Sequence, residues 1–107
     1  MISTHVLDTV RGLPAAGVPV RLEAASDAKV LGSGVTDGAG RVGELGPAIA
    51  RPGNYRLTFN TSVYFAATGQ PGLFPEVCVT FTVTDPGRHL HIPLLLSPFA
   101  YSAYRGS

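Results

Sequence analysis

Three histidines, His5, His89 and His91, carry most of the chemical potential of this chain, and they sit close to its two ends. Imidazole exchanges protons near neutral pH because its unperturbed pKa is about 6.5. His89 and His91 are two apart. On a strand both project from one face while Leu90, Ile92, Leu94 and Leu96 line the other, so one face packs and the other is open to chemistry. Two imidazoles in one pocket disfavour joint protonation, which leaves one as base and one as acid. With His5, the His-x-His pair could instead supply three imidazoles to Zn²⁺, but no acidic ligand pattern accompanies them. Asp8 follows His5 by three residues and would face the other side of a strand, so no Ser-His-Asp arrangement arises. Water activated by histidine is the chemistry these residues favour.

Short strands must position these groups. With 13 Gly and 9 Pro in 107 residues, long helices have little room. Alternation from Ile2 to Leu7 predicts a first strand, and Val18, Val20, Leu22 and Ala24 give the cleanest period of two. Val30 to Thr36, Tyr55 to Phe59 and Val77 to Val83 read as further strands. His89 to Leu96, a Ser97-Pro98 break and an aromatic last segment predict two more, for seven or eight in all. The period fails over Ser62 to Thr68, where the one short helix is expected. Asp37-Gly38-Ala39-Gly40 is a turn, and Arg41 leaves it either as a solvated turn residue or as a guanidinium held by a tightly specified backbone. The pattern predicts an all-β antiparallel sandwich with one short helix.

Size and charge narrow the function. A chain of 107 residues has room for one domain, 1-107, and a site at a subunit interface suits it better than a pocket buried inside it. Net charge is +1 with no basic cluster, which disfavours nucleic acid. Cys78 is the only cysteine, so no intrachain disulfide or Cys-based zinc module is possible, and it reads as a small strand side chain. No apolar run approaches the ~18 residues of a membrane helix. No signal peptide or peroxisomal Ser-Lys-Leu end is read, so a cytoplasmic location is expected, with no membrane partner and no cofactor.

Residues 91–107, HIPLLLSPFAYSAYRGS, resemble the C-terminal signature of the 5-hydroxyisourate hydrolases, transthyretin-related proteins of urate breakdown, and STHVLDTVRGLPAAGV near the start resembles their N-terminal signature. Tyr104, Arg105, Gly106 and Ser107 match the family's terminal Tyr-Arg-Gly-Ser, while Ala103 stands where Thr is usual. The Gly- and Pro-rich middle resembles many prealbumin-like sandwiches and supports the fold alone. The resemblance implies a prealbumin-like (transthyretin-like) fold and hydrolysis of 5-hydroxyisourate to 2-oxo-4-hydroxy-4-carboxy-5-ureidoimidazoline. It implies acid/base work by His5 and His91, and substrate anchoring and oxyanion support by Arg41. His91 takes that role because it directly precedes Ile92-Pro93-Leu94-Leu95, and His89 is left as a rim or spacer residue. Tyr104, Arg105 and Ser107 are the expected substrate-binding groups. The family also implies a homotetramer with sites at the dimer–dimer interface. A transthyretin-like small-ligand carrier is the alternative, and a purely structural sandwich a third reading.

Overall fold

The computed structural model describes all 107 residues. The chain forms β1 (Ile2–Asp8), β2 (Leu13–Pro14), β3 (Pro19–Ala24), β4 (Val30–Val35), β5 (Arg41–Leu45), β6 (Gly53–Phe59), α1 (Thr61–Thr68), β7 (Val77–Val83), β8 (Leu90–Leu96) and β9 (Tyr101–Ala103). One sheet runs β4-β3-β6-β7. The other runs β2-β1-β8-β9, with β5 also paired to β1. These are the two layers of a sandwich with one short helix, as the alternation predicts. Two short elements raise the strand number to nine. One is the two-residue β2, and the other is β5, whose Gly43-Glu44 lies in a register shift against β1 and breaks the period of two.

Every pairing is antiparallel except β1 with β8, which run parallel from Ile2↔Leu90 to Asp8↔Leu96. This pairing brings the two ends of the sequence side by side, because β1 and β8 are the first and next-to-last strands. The other edge of β1 is divided: β5 takes its first half and β2 its last residues.

The core follows from alternation. On β1, Ile2, Val6 and Asp8 point inward with Thr4, and on β8, Ile92, Leu94 and Leu96 do the same. They meet Val20, Leu22, Leu57, Phe59 and Val77 of the facing sheet. Burying each such side chain stabilises the fold by roughly 1.5–3 kcal/mol. The polar members of this layer are satisfied: the Thr4 hydroxyl donates to the Ile92 carbonyl at 2.6 Å. Asp8 accepts from the Tyr64 hydroxyl at 2.6 Å, from Gln70 at 3.0 Å and from the backbone N–H groups of Val10 and Arg11. Asp8 therefore anchors helix α1 to β1 and, as its place three residues after His5 predicts, points away from the histidine. No helix is long and apolar enough to cross a membrane.

Candidate active site

With Ile2, Thr4 and Val6 turned into the core, Ser3 and His5 of β1 are left on the outer face of the sheet. In the parallel register Ser3 stands opposite His91, and His5 opposite Pro93. The outward sides of the first and next-to-last strands are thereby joined into one surface. The rings of His5 and His91 lie 6.4 Å apart between centroids, tilted by 36°.

Arg41 arrives from the other side. The Asp37–Gly40 turn closes when the Asp37 carboxylate accepts from the backbone N–H groups of Ala39 and Arg41, each at 2.9 Å. Those donors, led by Arg41, and then the Arg41 charge hold the exposed Asp37 carboxyl below the usual carboxylate range. The turn is then fixed onto β1, because the Val6 N–H donates to the Gly40 carbonyl at 2.7 Å. Gly40 has φ of 77°, and a Cβ there would stand 2.4 Å from the Val6 carbonyl oxygen, so no other residue fits. The consequence is register: Arg41 begins β5 directly opposite His5.

The chain end closes the third side. Gly106 N–H donates to the His91 carbonyl at 2.8 Å, forming a bridge three strand positions beyond the last pair of the β8–β9 ladder and in the same register. Ser107 thus lines the same open groove as Ser3, Arg41, His89 and His91, a space of about 410 Å³. Tyr104 and Arg105 lie elsewhere: within one chain they line a separate, mostly apolar groove with Val79, Phe81 and Leu90.

Two residues gain a place that the sequence reading did not give them. The Ser3 hydroxyl sits 2.7 Å from His91 Nδ1 and 2.8 Å from His89 Nε2. His89, expected at the rim, is thus wired to His91 through Ser3. A signal for Ser3 was present, since it shares the strand face of His5, but a lone serine two residues before a histidine carries no specific motif. The His91 imidazole is held below the usual imidazole range, first by burial and then by the positive charges of Arg41, His5 and His89. It is therefore a neutral proton acceptor at neutral pH, next to a permanent cation. The three imidazoles do not converge into a metal-ligand cluster. His5 does not line the open groove; it stands beside it, opposite Arg41 and with its ring 6.4 Å from that of His91. Two neighbouring imidazoles, one of them neutral, and a guanidinium can activate water and stabilise a developing oxyanion.

Comparisons with known proteins bear on the family and the fold. The family model described as Transthyretin: HIUase/Transthyretin family matches residues 2–106. The chain is 44% identical over 110 residues to the 5-hydroxyisourate hydrolase of Salmonella dublin, covering 100% of this chain and 81% of that protein. The structure of Klebsiella pneumoniae 5-hydroxyisourate hydrolase superposes with a TM-score of 0.89 at 37% identity, over 99% of this chain and 98% of the other. Sea bream transthyretin in complex with thyroxine superposes with a TM-score of 0.85 at 29% identity, over 98% of this chain and 93% of the other.

Proposed function

Because the chain belongs to the HIUase/transthyretin family, we propose that it hydrolyses 5-hydroxyisourate to 2-oxo-4-hydroxy-4-carboxy-5-ureidoimidazoline, with residues 1-107 acting as one hydrolase domain. The observation that carries this reading is the joining of His5, Arg41 and His91 on one sheet face, from three strands that the sequence holds far apart.

The substrate is a strained cyclic amide. Opening it needs a water, a base, an acid for the departing nitrogen and support for the oxyanion on the attacked carbonyl. His5 and His91 share the proton transfers. Arg41 presents a planar, permanently charged fork to the substrate oxygens, and its charge is fixed before the reaction, so it needs no reorganisation as the oxyanion forms. Ser107 supplies a hydroxyl at the groove wall. Tyr104 and Arg105, which face another groove in their own chain, enter a substrate site only through assembly.

That assembly is a homotetramer with its sites between dimers. Two features favour it: the groove is open on an outer sheet face, and β7 and β9 are unpaired edges that border one groove together. Light scattering at micromolar concentration tests this, with a mass four times that of the chain as the expected result and a monomer as the contrary one. The cytoplasm is the proposed compartment, to be read by cell fractionation.

The carrier alternative draws on the likeness to thyroxine-bound transthyretin. The lining of the groove disfavours it, because Ser3, Arg41, His89, His91 and Ser107 outnumber its one hydrophobic residue, whereas sites for small aromatic ligands are mostly apolar. Turnover of freshly made 5-hydroxyisourate separates the two readings.

A further inference from the structure

We infer that Ser3 and His89 are positioning residues for His91, in that the Ser3 hydroxyl, placing one proton between two imidazoles, locks both rings into the same tautomer and passes to the exposed His89 the proton that His91 must shed. The inference rests on the hydrolase reading for its catalytic half only.

A serine hydroxyl has one proton to donate and lone pairs to accept. Ser3 Oγ touches two ring nitrogens, His91 Nδ1 and His89 Nε2, and no other hydrogen-bond partner. Ser3 is only 5% exposed, so its proton must go to one of the two. If Ser3 donates to His91 Nδ1, His91 carries its own proton on Nε2, and His89 donates from Nε2. If Ser3 donates to His89 Nε2, His89 carries its proton on Nδ1, and His91 donates from Nδ1. In both arrangements the two neutral rings hold the same tautomer, and they change only together. Since Nδ1 of His91 is committed to Ser3, Nε2 is the atom left for substrate chemistry.

The relay meets a physical need. A proton taken up by His91 would put a cation beside Arg41 and His5, in a part-buried position where charge is disfavoured. Starting from the Nδ1–H form, His91 Nε2 takes a proton from the attacking water. The Nδ1 proton passes to Ser3 Oγ, the Ser3 proton passes to His89 Nε2, and His89 releases its Nδ1 proton to solvent. All three groups end neutral, with both rings in the Nε2–H form. When the Nε2 proton of His91 leaves toward the departing ring nitrogen, with His5 sharing that transfer, the same steps run backward and His89 takes a proton from solvent. No outside reactant is required, and the exposure of His89 supplies the exit.

Two measurements test this. Long-range ¹H–¹⁵N spectra of the histidine rings, above pH 7, should show His89 and His91 in one shared tautomer in the wild type and a mixture at His91 in Ser3→Ala. Steady-state kinetics should show kcat lowered roughly 10- to 100-fold in Ser3→Ala and in His89→Gln, the scale on which partners orienting a functional imidazole act. The KM should stay within about twofold of the wild type, and Ser3→Thr, which keeps the hydroxyl, should restore kcat. Opposite tautomers at the two rings, or tautomer fractions that differ between them, in the wild type would overturn the lock. Wild-type kcat in both Ser3→Ala and His89→Gln would overturn the relay. A wild type that fails to turn over 5-hydroxyisourate, with the shared tautomer still seen, would remove the hydrolase reading and the relay together and leave the lock standing.

Discussion

Gly106 lies so close to His91 that a Cβ on the glycine would stand 2.6 Å from the imidazole Cδ2, and 3.2 Å from the ring of Pro93. The chain end is therefore a wall of the site rather than a fraying tail, held by the Gly106 N–H on the His91 carbonyl. Gly106→Ala must either turn the imidazole or lift the last residues away. Turnover should fall by about tenfold or more, as small misplacements of catalytic groups do, while the midpoint of urea unfolding stays close to that of the wild type. Unchanged turnover would mean that the ring has room to move.

Removal of the reacting groups should separate activity from folding. His5→Ala, Arg41→Ala and His91→Ala each truncate a side chain on the outer sheet face, outside the core. Each should lower kcat/KM by roughly 10²–10⁴-fold, the range of a lost general acid, base or oxyanion partner, with the circular dichroism spectrum preserved. Near-normal turnover in any one of them would remove that residue from the mechanism.

The ends of the chain carried more information than its middle. The alternation marked most of the strands, its failure marked the helix to within one residue of its start, and the two terminal signatures singled out His5 and His91, whose rings the β1–β8 pairing brings to 6.4 Å. That β1 and β8 run parallel, in the register Ser3↔His91, is a non-local pairing which no local pattern encodes. The link between Ser3, His89 and His91 was hidden for that reason, because it depends on that register. Strand β5 escaped for a different cause: a bulge at Gly43-Glu44 erases the period of two just where the strand turns Arg41 toward His5. Tyr104 and Arg105 match the terminal signature as closely as Ser107 does, yet only Ser107 reaches the histidine groove in its own chain, since the sequence does not record which side of the chain end faces the groove.

His91 should titrate low, with a known sign. Burial, Arg41, His5 and His89 all favour its neutral form in the folded protein, so its midpoint in an NMR titration should lie below the usual value of about 6.5. The unfolded chain then binds more protons in the window between the folded midpoint and about pH 6.5. Stability should rise with pH across that window, and the cost should be complete below it. In Arg41→Gln the midpoint should move up toward 6.5, because one cation is gone while burial remains. A midpoint above 6.5 in the wild type would contradict the electrostatics described.

Asp8 should matter for folding and not for chemistry. Its carboxyl is held below the usual carboxylate range: burial opposes ionisation, but the hydrogen bonds from Tyr64, Arg11, Gln70 and Val10 outweigh it. Stability from this group is present above the unfolded pKa and is lost as pH falls through the folded value, in the range of about pH 4 and below. Asp8→Ala leaves the buried Tyr64 hydroxyl without its acceptor and should cost roughly 2–3 kcal/mol in urea unfolding at neutral pH. The kcat of the folded fraction should be unchanged.

The central claim, hydrolysis at the face shared by β1, β5 and β8, is tested most directly by following the ultraviolet absorbance of freshly generated 5-hydroxyisourate with the wild type, with His91→Ala and without protein. The account predicts fast decay with the wild type and a near-spontaneous rate with the variant. Decay at the spontaneous rate in the presence of well-folded wild-type protein would contradict it and favour a carrier.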